Sequence, residues 1–273
     1  MSSITARLWA TGPIHPDMQR WANALVAAGG IVSRTRLLLN SALISGFQVI
    51  GTYGLLDDII VPAAENSLAQ LLSWKQLRFA TAVNSPTFTV DRGSTADGVA
   101  SYLNSNFVPS THCKAATAAS NRLAVYNRTA VSGNGYDVGQ STASLRAWQL
   151  RARTTGNLAG YNGSSDTINS AADVTSGQGF VTGSRSGAAI GAPVSWYRNG
   201  TKSTADAAIG ATAASMGVYG VLIGATTSTS NVPTSFKAGE RAYVEFSAAF
   251  TPAQEAAHYA LLQQYMTAIG AQV

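Results

Sequence analysis

Arg241-Ala242-Tyr243-Val244-Glu245-Phe246-Ser247-Ala248-Ala249-Phe250, running into Thr251-Pro252-Ala253-Gln254-Glu255, is the stretch that decides the fold. Its first half reads as a strand and its second half as the start of a helix. Thr251 suits the N-cap, Pro252 the first helical position, and Gln254 completes a Thr-x-x-Gln capping box. Ala257, Leu261, Leu262, Tyr265 and Met266 follow as one apolar stripe, and Gly270 closes it. Upstream, Val194-Ser195-Trp196-Tyr197-Arg198 leads into Asn199-Gly200, the strongest hairpin signal in the chain. Gly217-Val218-Tyr219-Gly220-Val221-Leu222-Ile223-Gly224 supplies a further strand. Strand, Asn-Gly turn, strand, strand and closing helix describe the end of an antiparallel sandwich.

The middle of the chain repeats the theme. Asp58–Val61, Phe79–Val83, Pro86–Val90, Ser101–Asn104, Arg122–Arg128, Ser144–Arg153 and Gly179–Arg185 read as strands. Turn signals at Asp97-Gly98, Gly133-Asn134-Gly135, Asn162-Gly163 and Gly177-Gln178-Gly179 divide them. Ser67–Leu72 fits a helical turn or a strand equally well. No repeat of fixed period is visible.

Residues 1–54 differ. From Pro16 on, Met18, Trp21, Ala22, Leu25 and Val26 have helical spacing, stopped by Gly29-Gly30. Ser33 caps a second helix carrying Leu37, Leu38, Leu39, Leu43 and Ile44, with Gly46 near its end. This hairpin is more apolar than a lone hairpin can bury, so it packs either on the sandwich or on a neighbouring subunit. Trp21, Leu25, Leu38 and Leu39 are the residues that would anchor it. The division is therefore 1–54, a helical anchoring segment, and 55–273, the sandwich.

Composition bounds the function. The 273 residues are 46% hydrophobic and only 11% charged, with a net charge of +5. That charge comes from arginines scattered along the sequence, the densest group being Arg146, Arg151 and Arg153, and no nucleic-acid module accompanies them. One cysteine, Cys113, excludes an internal disulfide. The N-terminus lacks the pattern of a signal peptide, and no apolar run is long enough for a membrane span. The expectation is synthesis in a reducing cytoplasm, with no nucleic-acid partner and no membrane insertion.

Asn84-Ser85-Pro86-Thr87-Phe88-Thr89-Val90-Asp91-Arg92-Gly93, then Asp97-Gly98 and Tyr102-Leu103, resembles the opening of laminin-G-like domains in phage and prophage structural proteins. Ser195–Gly200 resembles that family's hairpin, and Glu240–Met266 its last strand and closing helix. The resemblance implies a mostly β, concanavalin A-like or laminin-G-like jelly roll with an N-terminal helical segment and a short C-terminal helix. It further implies a virion protein, a fibre, spike or decoration on tail or capsid. Such a protein contacts other virion proteins through residues 1–54, works as a homo-oligomer and displays a face for host glycans.

The chemistry-bearing residues point away from an enzyme. Glutamates are few (Glu65, Glu240, Glu245, Glu255), and strict alternation puts Glu240 and Glu245 on opposite faces of a strand. His15, His112 and His258 stand apart from any nucleophile motif. His112-Cys113 lacks further zinc ligands. No cofactor is expected; calcium is weighed at the loop acids Asp97, Asp137, Asp166 and Asp173, without an EF-hand-type loop. For a sugar, Tyr136, Asp137, Trp148, Tyr161 and Asn162 offer rings and polar groups, Tyr136 and Tyr161 in loops and Trp148 mid-strand, where core packing competes. The reading of a different class is a free lectin or a polysaccharide-degrading enzyme on the same fold.

Overall fold

The computed structural model describes residues 12–273 except 143–146, 156–158, 166–168, 172–175, 188–192, 203–206 and 209–214. Two antiparallel sheets form its centre. One runs in the order Thr201–Lys202, Pro193–Arg198, Gly179–Ser186, Ser120–Asn127, Gly239–Ser247, Gly93–Ala96 and Thr87–Thr89, with Leu56–Ile60 also on the last-but-two of these strands. The other runs Asn169–Ala171, Ala159–Ser165, Ala147–Arg151, Val138–Gln140, Leu222–Ile223, Tyr102–Asn104 and Thr81–Val83. Among the described residues four α-helices accompany them: α1 (Pro16–Ala27), α2 (Arg34–Val49), α3 (Pro109–His112) and α4 (Pro252–Ala268).

The central strands Ser120–Asn127 and Gly239–Ser247 are buried along almost their whole length because both faces are covered. Leu123, Val125, Val244 and Phe246 face the second sheet and meet Val138, Trp148, Leu150 and Ile223. Ala124, Tyr126, Ala242 and Tyr243 face the helices and meet Trp21, Phe47 and Leu262. The result is three layers: helices, sheet, sheet.

Local signals explain the helices. Thr251 accepts from Gln254 N and the reciprocal half of the capping box is present. Ser33 caps α2 through Arg36 N. Asn199 and Gly200 both take positive φ, 48° and 73°, as a tight two-residue hairpin requires. Gly46 does not end its helix, which continues to Val49; a Cβ there would stand 3.0 Å from Leu261 Cδ1, so glycine lets α4 pack closely on α2.

The hairpin of α1 and α2 packs on the chain's own sheet. Trp21, Leu25 and Leu39 belong to the core that also holds Tyr126, Phe180 and Tyr265, and Leu38 is buried as well. These four anchoring candidates are therefore covered by their own chain: of the two packings the sequence allows, the one on the sandwich is taken, because the apolar stripe of α1 and α2 matches the helix-side face of the central strands. No helix among the described residues is long and apolar enough to cross a membrane.

Candidate functional site

One end of the sandwich gathers the basic residues. Because Ser120–Asn127 and Gly239–Ser247 run antiparallel, the end of the first meets the start of the second, with Asn127 opposite Arg241. The loop before Val138 and the segment after Arg151 reach the same end, where Asp137 N donates to Leu150 O at 3.0 Å.

Asp137 is the hub. Its carboxylate accepts from Lys237 Nζ at 2.7 Å, Arg241 Nη2 at 3.2 Å, Asn127 Nδ2 at 3.1 Å and Ala152 N at 2.7 Å. Burial opposes its charge, but Lys237 and Arg241 outweigh that and hold the carboxyl below its usual range. Burial pulls the Lys237 ammonium down, with Asp137 resisting. Glu240 forms the second node: it accepts from Arg128 Nε at 3.0 Å, and Arg92 lies 3.6 Å away. Gln178 joins the groups, donating to Arg128 O at 2.9 Å and accepting from Arg198 Nη2 on its own carbonyl at 2.7 Å. Arg198 also donates to Ser176 O. Burial, then the neighbouring Arg153, lowers the Arg198 pKa. Arg151 lies over the Tyr136 ring, 3.9 Å from its centroid.

Six cations (Arg92, Arg128, Arg151, Arg198, Lys237, Arg241) thus gather around two carboxylates (Asp137, Glu240) among the described residues, an excess of four. The whole chain carries +5. Arg128 Nη1, Arg151 Nε and Arg241 Nε are buried without a hydrogen-bond acceptor among the described residues. Such an excess of positive charge attracts anions to this end.

The sugar candidates fall differently from expectation. Tyr136 does lie outside the strands, but it is 6% exposed, its face covered by Arg151. Asp137, 2% exposed, is committed to Lys237 and Arg241. Trp148 is core, packed with Phe107 and Phe246. None of the three offers a free platform, because each fills a space its own chain must close. Tyr161 and Asn162 lie in a strand, not a loop, in register with Leu150 and Gln149; their side chains are outside the described residues. Asn162-Gly163, where a turn was expected, pairs regularly within the strand, and the step from Trp148–Gly163 to Ala147–Ser165 places a β-bulge at the next residue, Ser164.

The acids show the same pattern. Glu245 and Glu255 are both bonded to Arg122 in the interior, and Glu240 to Arg128. The Asp97 carboxylate accepts from Val99, Ala100 and Ser101 N–H groups, which lower its pKa. Asp166 and Asp173 lie outside the described residues. Among the described residues no three His, Cys, Asp or Glu side chains are grouped to hold a metal ion.

No protein-family model matches the chain, and no curated protein matches it. Solved structures do. A Trypanosoma rangeli sialidase with bound 2,3-difluorosialic acid aligns with 82% of this chain and 39% of its own, at TM-score 0.51 and 12% identity. Domain 4 of the Geobacillus stearothermophilus arabinanase AbnA, with arabinotriose, aligns over 74% of this chain and 97% of its own, at TM-score 0.36 and 14% identity. A heptameric pentraxin from Limulus polyphemus aligns over 73% and 79%, at TM-score 0.37 and 12% identity. The chain is a mostly antiparallel, concanavalin A-like jelly roll, and it spans about two fifths of the sialidase's length. This corrects the exclusion of an enzyme: that exclusion rested on missing acid-pair, nucleophile and zinc-ligand motifs, whereas the fold occurs within a glycosidase. No virion protein is among these neighbours.

Proposed function

We propose that this chain is a carbohydrate-recognising β-sandwich whose basic end binds acidic glycans, polymers carrying carboxylate or sulfate groups. The observation that carries this is the excess of cations around Asp137 and Glu240, with Arg151 and Arg198 pairing, among the described residues, to a ring and to carbonyls and not to acids. The concanavalin A-like fold supports a sugar as the ligand class. Nucleic acid suits the site less well. Non-specific nucleic-acid binding combines positive charge with aromatic rings for base stacking. Here every described aromatic side chain is buried or half-buried.

The test is binding of the full chain to polygalacturonate, heparin, dextran and single-stranded DNA at two salt concentrations. Binding to the acidic polysaccharides that weakens as salt rises, with none to dextran, is the expected result. Arg151→Glu with Arg198→Glu should weaken it about a hundredfold, roughly tenfold for each reversed charge. Dextran binding equal to that of the acidic chains, or a preference for DNA, overturns the proposal.

The sialidase likeness favours a second reading, in which glycan held here is also hydrolysed. Release of reducing ends from the same polysaccharides tests it directly. The virion role, docking through residues 1–54 and self-association rest on the sequence resemblance alone.

A further inference from the structure

Three Asn-Gly pairs occur in the chain: Asn134-Gly135, Asn162-Gly163 and Asn199-Gly200. Asn-Gly is the most labile amide pair in a protein, because glycine has no side chain to keep its own nitrogen from the preceding amide. The fold treats the three differently. Asn162 and Gly163 pair with Gln149 and Trp148 inside a sheet. Asn199 N donates to Phe180 O at 2.8 Å, and Asn199 Oδ1 accepts from Phe180 N at 2.9 Å. Gly200 is seated on α4, where a Cβ would stand 3.1 Å from Ala256 Cα. Asn134, by contrast, is exposed. Among the described residues no backbone N–H or carbonyl of residues 130–135 takes part in a backbone hydrogen bond.

Two contacts bear on reaction at this pair. Thr155 Oγ1 donates to Asn134 Oδ1 at 3.2 Å, the oxygen on which negative charge develops when the amide carbon is attacked. Nothing larger fits at Gly135: a Cβ would stand 2.1 Å from Phe236 O and 2.8 Å from Lys237 Cβ. The same contacts put the pair at the basic end. Lys237 Nζ donates to Arg153 O at 2.8 Å, and Tyr136, the residue after Gly135, carries Arg151 on its ring. Asn134 thus joins the segment of Arg153 and Thr155, and Gly135 that of Phe236 and Lys237.

We propose that Asn134 deamidates spontaneously and that the carboxylate formed weakens anion binding at the basic end. Gly135 N gives its proton to solvent and bonds to Asn134 Cγ. The Cγ–Nδ2 bond breaks, and ammonia leaves with a proton from solvent. Water then opens the cyclic imide at either carbonyl, giving Asp or, with the main chain rerouted through the side chain, isoaspartate. One water is consumed and one ammonia released, and no oxidant or second enzyme is needed. Either product adds one negative charge beside Lys237 and Arg151. The modification stands on the geometry of the loop; its effect on binding rests on the glycan reading above.

The full chain, incubated at mildly alkaline pH and followed by peptide mapping with mass spectrometry, should deamidate at Asn134 about tenfold faster or more than at Asn199, where reaction must first break two hydrogen bonds. Thr155→Val should slow the reaction about threefold, less than the loss of a buried oxyanion donor because Thr155 is exposed, and Thr155→Ser should restore it. Asn134→Asp, standing for the aged chain, should bind heparin about threefold more weakly, since one added charge is half of a charge reversal. Asn134→Gln should bind as the native chain does, before and after incubation. Deamidation at Asn199 or Asn162 as fast as at Asn134 overturns the site. Undiminished heparin binding by Asn134→Asp overturns the effect on binding. If the native chain binds no acidic polymer, the glycan reading and that effect both fall, while the mapping still decides the site.

Discussion

Arg122→Met destabilises the fold by about 3–5 kcal/mol, the usual cost of removing one partner from a buried ionic network. Arg122 is fully buried on the helix side of the central sheet. Its Nε and Nη2 donate to the two oxygens of Glu255 at 2.7 and 3.0 Å, and its Nη1 pairs with Glu245. Its guanidinium lies 4.1 Å from the centroid of Phe250. Glu245 in turn bonds His258 Nε2 at 2.9 Å, and His258 Nδ1 lies 3.1 Å from Thr52 Oγ1. The His258 ring stacks on Phe47, centroids 3.8 Å apart. One guanidinium thus ties the last strand to α4, and through His258 to the end of α2. Methionine fills much of the volume but leaves two carboxylates facing each other in the interior. Thermal denaturation should show a fall of about 10 °C or more.

The same network sets an acid limit. Burial opposes the charge of Glu245, but Arg122 and His258 hold its pKa at about 2, against 4.5 for the free group. A carboxylate depressed on folding stabilises the native state above its unfolded pKa, and that contribution is lost as pH falls through the folded value. Native stability should therefore decline between about pH 4.5 and 2, by on the order of 3 kcal/mol from this group. In Arg122→Met the trend inverts: protonation relieves the orphaned acids, so the deficit relative to the native chain shrinks below pH 4.5. Denaturation midpoints measured from pH 2 to 7 on both proteins check this. A deficit that stays constant with pH would show that Arg122 acts through packing and not charge.

Legibility in the sequence follows the range of the interaction. The capping box at Thr251–Gln254, the Ser33 cap and the Asn199-Gly200 hairpin are set by contacts within a few residues, and all three are read correctly from the residues alone. Asn162-Gly163 has the same composition as a turn, but pairing with Gln149 and Trp148 holds it inside a strand, with a bulge only at the next residue, and that pairing is not local. Ser67–Leu72 has no strong period because it forms turns, with one bridge from Leu72 to Phe79. The basic end is invisible to spacing rules for the same reason. Lys237 and Arg241 lie 100 and 104 positions from Asp137, and Glu240 lies 112 from Arg128. Arginines scattered in sequence converge because strand ends far apart in sequence meet there, Asn127 opposite Arg241 among them. The one usable signal was Tyr136-Asp137, which marks the right place but in the wrong role, with the acid as hub and the ring as a seat for Arg151.

Asp137→Asn should cost as much as Arg122→Met, about 3–5 kcal/mol, and should also remove the proposed glycan site. Lys237 and Arg241 would then lie beside each other, 2% exposed at their side chains, with no carboxylate between them. Asparagine keeps the shape and one acceptor but supplies no charge, so the repulsion that Asp137 now offsets is released. Relief is available where the chain can open, at the segment from Lys237 to Arg241, whose backbone also holds Gly224 and Arg128. Amide hydrogen exchange should rise first at Lys237 and Arg128, whose N–H groups bond Gly224 O and Glu240 O, while α4 keeps its protection. Adding Lys237→Met to Asp137→Asn removes one of the two orphaned cations and should recover more than half of the lost stability. Full stability in the single variant would mean that the cations are balanced by another group. An unrescued double variant would mean that the hydrogen bonds of Asp137 to Asn127 and Ala152, and not its charge, hold this end together.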